Sequence, residues 1–318
     1  MAANRPRLVI LLLAIVAALA VTAFMTLGAR GSWDFVLKFR GLKLAGLVLV
    51  AYAVAVSTVM FQTVTANRIL TPSVMGFDAL YVLIQTLLVA GIGSHAAAVL
   101  NPNLLFAAKV MLMVVFSGLL FRWLFLGEER SLHLLVLVGI IFGVFFRSVS
   151  TLIQRMLDPN EFMVLSDSLF ASFNSVQPTL LGASAVLIGL ASIVGYLMLN
   201  RLDVLTLGRP MSIGLGLPYK QTVAIILAIV ALLVSVSTAL VGPVTFFGLL
   251  VASLAHVMTG SAKHRHVLPV AVLLAVICLV GGQTVLERVF GFNTALSVII
   301  EFLGGIAFIL LIIRRGAR

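Results

Sequence analysis

Nearly all of this sequence lies in apolar runs of about 17 residues or more, the length an α-helix needs to cross a bilayer. In chain order the runs are Leu8–Leu27, Leu42–Ala66, Pro72–Ala90, Leu104–Leu126, Leu132–Leu157, Thr179–Leu199, Thr222–Val241, a shorter one, Phe246–Met258, preceded by Gly242-Pro243, then Val267–Val285 and Thr294–Ile313. A shorter stretch, Phe162–Phe173, follows the fifth run and reads as a half-helix or a surface helix. A membrane β-barrel would show ten-residue segments of alternating polarity, and the sequence has none. Only 10% of the residues are charged, against about a quarter in a soluble domain. The chain therefore reads as an all-α, polytopic membrane protein of about ten spans, one transmembrane domain over residues 1–318. The first run follows Arg5 and Arg7 as a signal peptide would. It is long, however, and lacks a clear small-residue cleavage site near Leu27, so it counts as a span.

The net charge of +11 does not call for nucleic acid, because the basic residues sit at span ends, where the positive-inside rule and the membrane surface account for them. With the N-terminus inside, thirteen of the 21 lysines and arginines fall in inner segments and seven in outer ones, and Arg147 remains within the fifth span. Ten spans then place both termini on the cytoplasmic side. The exception is the first outer loop, which gathers Arg30, Lys38, Arg40 and Lys43 on the disfavoured side. Two readings stand: span-end side chains snorkelling to the headgroups, or a docking site for an acidic partner outside the membrane. Arg288, in the outer loop before the last span, is a further candidate for that site.

Between the sixth and seventh spans lies a polar island, residues 200–221, carrying Arg201, Asp203, Arg209 and Lys220. Gly208, Pro210, Gly214, Gly216 and Pro218 prevent one smooth helix. The pieces between them, Val204–Leu207 and Met211–Leu215, suit short helical turns on the cytoplasmic face, joined by Gly-Arg-Pro. A bare connection needs only a few residues, so the island reads either as a disordered loop or as a docking surface.

The sequence contains no G-x-x-x-x-G-K-S/T phosphate loop, so ATP is not expected to bind in that manner. No paired-carboxylate, two-histidine or Cys-His cluster stands out; neither a catalytic site nor a metal or other cofactor is expected. Lys263-His264-Arg265-His266 places cations beside both histidines, so it reads as a solvated cytoplasmic loop rather than a metal site. Cys278 is the single cysteine, which excludes an intrachain disulfide. Charges inside spans are better pointers, because each costs several kcal/mol in lipid and must face a cavity or another helix. Arg147, Asp78 and Glu301 qualify. Helix-to-helix hydrogen bonding is the plain alternative for each.

Several stretches resemble the FecCD-type permeases of bacterial ABC importers, which serve iron-siderophores, haem and cobalamin. Gly242-Pro243-Val244-Thr245-Phe246-Phe247-Gly248-Leu249-Leu250-Val251 looks like the family's G-P-I-x-F-V-G-L-I-V, with Ala252-Ser253 where the family has Pro-His. Gly304-Gly305-Ile306-Ala307-Phe308 resembles G-A-P-x-F without its proline. Leu207-Gly208 and Leu215-Gly216-Leu217 match pieces of the family's coupling region. Gln62 and the stretch from Asn67 to Gly76 resemble Q-x-x-x-x-N-P-L-A-x-P-x-x-L-G, with Arg68 for the first proline. Arg40-Gly41-Leu42-Lys43 resembles R-L-P-R.

The resemblance runs from about Arg40 to Arg315 and implies a type II ABC importer permease in the inner membrane. It implies two subunits around a central pathway, the second being non-identical in divergent members, together with two ATPase subunits and a periplasmic substrate-binding protein. Leu207, Gly208, Arg209, Leu215 and Gly216 would then couple to the ATPase. Arg147 and Glu301 would mark the pathway, and Arg40, Lys43 and Arg288 would receive acidic residues of the binding protein. An iron-siderophore complex is the implied cargo; haem or cobalamin, or an ion-coupled secondary transporter, are the alternatives.

Overall fold

A helix that is apolar on every side must be enclosed by protein or by lipid. Of α2 (Trp33–Thr65), the part from Leu49 to Thr65 is enclosed by protein. One stripe of it, Ala53, Val56, Met60 and Val64, lies in one buried cluster. The opposite stripe, Leu47, Val50, Ala51, Ala55 and Val59, lies in a second. The computed structural model describes residues 5–29, 32–125, 132–174, 176–291, 296–302 and 304–306. Among these the remaining helices are α1 (Arg5–Thr26), α3 (Phe77–Ile92), α4 (Ser94–Val99), α5 (Pro102–Phe125), α6 (Leu132–Gln154), α7 (Pro159–Ser168), α8 (Pro178–Leu197), α9 (Leu199–Leu205), α10 (Arg209–Gly214), α11 (Tyr219–Val241), α12 (Phe247–Thr259) and α13 (His264–Arg288). A short 3-10 turn, Pro72–Met75, precedes α3.

The central helix packs against α11 on one side and α13 on the other. Around these three, α1, α5, α6 and α8 keep broad apolar faces outward, Leu11, Leu119, Ile141 and Val186 among them. Such faces suit lipid rather than water. Seven helices (α1, α2, α5, α6, α8, α11 and α13) are long and apolar enough to cross a membrane. Three shorter apolar ones, α3, α12 and the stretch beginning at Leu296, bring the described total to the expected ten runs, in the expected order. The stretch after the fifth run, expected as a half-helix or a surface helix over Phe162–Phe173, holds α7, which begins earlier and ends at Ser168; Asp158 opens it, its side chain accepting the Asn160 N–H at 2.9 Å.

Three differences from the sequence reading bear on the sites described below. First, α2 begins at Trp33 rather than Leu42 and runs 33 residues, about 50 Å at 1.5 Å per residue. Lys38, Arg40 and Lys43 therefore sit on a helix and not in a loop, because hydropathy marks only the part of a helix that lies in hydrocarbon. Arg30 lies outside the described residues. Second, the first helix of the polar island is Leu199–Leu205, directly following α8, and the link to α10 is Thr206–Gly208. Third, Lys263–His266 is not a solvated loop: it opens α13, with His264 only 2% exposed.

One crossing depends on the absence of side chains. The turn ending at Gly76 lies directly on α6 at Gly139 and Gly143, a G-x-x-x-G pair one helical turn apart. A Cβ on Gly76 would come within 3.0 Å of Gly143 backbone atoms, and one on Gly139 within 3.1 Å of Met75 Cα. Gly76 also has φ +89°, which glycine alone adopts freely.

Candidate functional site

On α6, Arg147 follows Gly143 by four residues, so the helix face that meets the Gly76 turn also carries the arginine. Beside it lies a cavity of about 810 Å³ between α6, the start of α3 and the segment leading into α12. Ser73, Asp78, Arg147, Thr151, Arg155 and Thr245 give it polar walls within an apolar surround. Asp78 is 6% exposed. The Ser73 and Thr245 hydroxyls stand beside its carboxylate, but neither oxygen makes a well-formed hydrogen bond to the described residues. Glu301 lies next to the Thr245 backbone N–H and within electrostatic reach of Asp78, as does Arg147. The three intramembrane charges singled out from sequence, in three separate spans, therefore meet at one place. The hydroxyls of Ser73 and Thr245 and the charge of Arg155 belong to the same wall and gave no separate signal. A charged side chain inside a membrane is tolerated where it faces a water-filled cavity or a partner, and this cavity supplies both. With two arginines, the Asp78 carboxylate and several hydroxyls on it, the wall can hydrogen-bond a polar solute.

At one end of the bundle, α9 and α10 form a tight hairpin. Ser212, fully buried, donates to the carbonyls of Val204 (3.0 Å) and Gly208 (2.7 Å) and ties the second helix to the first. The hairpin closes at Gly216 with φ +80°. The Leu217 N–H reaches Ser212 O and the Gly216 N–H reaches Ile213 O, a Schellman end. No atom of the described residues lies within 4 Å of the position of a Gly216 Cβ, so among them this glycine serves the backbone turn and not a close contact. Leu207, Met211, Ile213 and Leu215 are each more than half exposed, a row of apolar side chains on an otherwise polar hairpin. Arg209 is exposed and lies over the Tyr219 ring, 5.8 Å from its centre.

The hairpin is fixed to the spans by a relay the sequence did not reveal. The Asp203 carboxylate accepts the backbone N–H of His264 (2.8 Å) and pairs with its Nδ1 (2.7 Å), at the N-terminus of α13, where a negative charge is favoured. On the other side of the ring, Nε2 lies 2.7 Å from the Thr63 hydroxyl of α2. The relay thus joins α9, α13 and α2.

At the opposite ends of α2 and α13, the three expected docking cations occupy different environments. Arg40 donates to four carbonyls at the end of α1, those of Phe24, Met25, Leu27 and Gly28, at 2.8 to 3.1 Å. It satisfies acceptors that a helix C-terminus leaves unpaired. Arg288, exposed at the last residue of α13, lies against Gly28 in the space a Cβ would take. Arg40 and Arg288 therefore converge on one turn. Lys43 is buried, 6% exposed, and its Nζ is 2.7 Å from Glu287 Oε1. Gln283 donates to the same carboxylate oxygen (2.9 Å) and to Asn174 (3.3 Å). The sequence placed Lys43 at an outer surface; its pairing with Glu287 was invisible there, since the two are 244 residues apart.

Comparison with known proteins agrees with this architecture. A sequence model of the FecCD transport family matches residues 7–314. The petrobactin import system permease protein YclO of Bacillus subtilis is 46% identical over 286 residues, covering 90% of this chain and 91% of that protein. The petrobactin import system permease protein FatC of Bacillus anthracis is 36% identical over 89% of this chain and 80% of its own length. A solved transporter assigned to the metal-chelate type of ABC transporters, in an inward-facing conformation, superposes with a TM-score of 0.84. It does so at 18% identity, over 96% of this chain and 99% of that one, a likeness of fold. Matched by the family model over almost its whole length, the chain belongs to the FecCD transport family.

Proposed function

We propose that this chain is the transmembrane permease subunit of a bacterial ABC importer that moves an iron-siderophore complex from periplasm to cytoplasm, energised by separate ATPase subunits. The observation that carries the reading is the 46% identity to YclO over nine-tenths of the chain. Its relative's cargo, petrobactin, is the first substrate to test. The α9–α10 hairpin, within residues 200–221, is the coupling segment. Its exposed row Leu207, Met211, Ile213 and Leu215 supports that role, as apolar side chains gathered on a polar surface mark an interaction site. Gly208, Arg209 and Gly216 shape the row and flank it. The N- and C-termini lie in the cytoplasm with the hairpin, following the lysine and arginine bias.

The cavity beside Arg147 forms one wall of the translocation pathway, with Asp78 and Glu301. The α6 face around it is exposed at Val144, Phe145 and Leu152, which supports a second, non-identical permease subunit supplying the facing wall. At the far end, Arg288, Arg40 and Lys43 mark the docking face for the periplasmic binding protein. Arg288 is its exposed cation, and the other two stand behind it.

The test is reconstitution in proteoliposomes with the cognate second permease, ATPase subunits and binding protein. Uptake of the ferric siderophore is expected only with ATP; uptake on an ion gradient without the ATPase would overturn the reading. In the same system, Gly216→Val forces a β-branched residue to φ +80°, at about 1–2 kcal/mol for the left-handed conformation. ATP hydrolysis is expected to continue while uptake falls severalfold; unchanged uptake would remove Gly216 from the coupling segment. Separately, Arg147→Cys is expected to react with water-soluble thiol reagents in at least one nucleotide state. Complete protection in every state would place Arg147 outside the aqueous route.

A further inference from the structure

A second cavity, about 540 Å³, opens between α2, α8, α11 and α13 and shares no lining residue with the polar one. Its walls are apolar: Val56 and Met60 of α2, Ala191 and Gly195 of α8, Leu268 and Val272 of α13. Gly195 is part of what makes the groove, since a Cβ there would come within 2.9 Å of Met60 Cε. The outer rim belongs to α8, whose Leu190, Ile193 and Tyr196 are exposed in the manner of a lipid-facing helix. One end of the groove is capped by His264 and Arg265 at the start of α13. His264 is occupied by Asp203 and Thr63. Arg265 is exposed and makes no ion pair among the described residues, as does its neighbour Lys263.

We propose that this groove binds one anionic phospholipid, an acyl chain lying along α8 and α13 and the phosphate on Arg265. An apolar slot inside the bilayer that stays empty forfeits dispersion contacts along its whole lining. The bilayer supplies acyl chains to fill it. What selects the headgroup is charge: a basic residue at the end of a slot between membrane helices, at span-end depth, fits an anionic lipid phosphate. Tyr196 on the rim lies where aromatic side chains meet headgroups. The site stands beside the His264–Asp203 relay, so its occupant touches the link between the spans and the α9–α10 hairpin. The inference does not depend on the cargo or on which way the chain faces.

The test is native mass spectrometry of the assembled transporter, delipidated and titrated with phosphatidylglycerol or phosphatidylethanolamine. The wild type is expected to retain phosphatidylglycerol about fivefold better, the preference about one basic residue gives. Arg265→Gln should abolish the preference without lowering phosphatidylethanolamine binding. Ser192→Trp, which fills the slot from the half-buried face of α8, should lower retention of both lipids. Equal retention of the two lipids by the wild type would overturn the proposal, as would an undiminished preference in Arg265→Gln or unchanged retention in Ser192→Trp. Transport is not measured, so a wrong cargo assignment leaves these outcomes unaffected.

Discussion

Lys43→Met is expected to lower the stability of the protein by about 3–5 kcal/mol, the loss that follows when one member of a buried ion pair is removed and the other stays charged. Glu287, 9% exposed, would keep its charge with the amide of Gln283 still donating to it. Adding Glu287→Gln removes the stranded charge and leaves a carbonyl that still accepts from Gln283. The double variant should therefore recover most of the loss, since a neutral replacement of a buried pair is often close to harmless. Thermal unfolding in detergent, followed by size-exclusion chromatography, reads both effects. A single variant that unfolds at the wild-type temperature would show that the pair contributes little. The double variant also separates two roles. If it is stable and transports normally, Lys43 is a structural residue behind the proposed docking face. If it is stable but associates slowly with the binding protein, Lys43 contributes to docking, where charge acts mainly on orientation and on-rate.

Gly76→Val is expected to prevent correct packing of α6. The substitution places a β-branched residue at φ +89°, which costs about 1–2 kcal/mol even without neighbours. The new Cβ meets Gly143 Cα and N at 3.0 Å and Gly139 O at 3.2 Å, all backbone atoms of a helix that cannot turn aside. Overpacking of this kind typically adds about 1–3 kcal/mol. Gly76→Ala should move in the same direction by less. Because Arg147 lies one turn beyond Gly143, the displaced helix would carry the arginine away from Asp78, and uptake should fall further than the residual folded protein explains. Wild-type unfolding temperature and uptake in Gly76→Val would show that the turn and α6 tolerate separation.

Much of this protein follows from sequence alone, and the reason is that membrane insertion is a local property. A run of apolar residues spans because of its own length and transfer free energy, so the ten runs from Leu8 onward appear as helices in order. A charge such as Arg147, Asp78 or Glu301 inside a run is costly wherever its partners lie, and this marked all three before their meeting place was known. The glycines and prolines of residues 200–221 likewise broke the island into two short helices through backbone preferences that act within a few residues. Pairings across the fold were decided by tertiary structure. Lys43 and Glu287, or Asp203 and His264, find each other because α2, α9 and α13 pack together, and a helix like α2 that is apolar on every side gives no face by which to read its neighbours. Arg40 looked like an outward cation and turns instead onto the carbonyls at the end of α1, since unpaired acceptors at a helix end attract the nearest guanidinium. Which charges stay exposed and which hold the bundle together was set by that packing, through contacts between residues far apart in the chain.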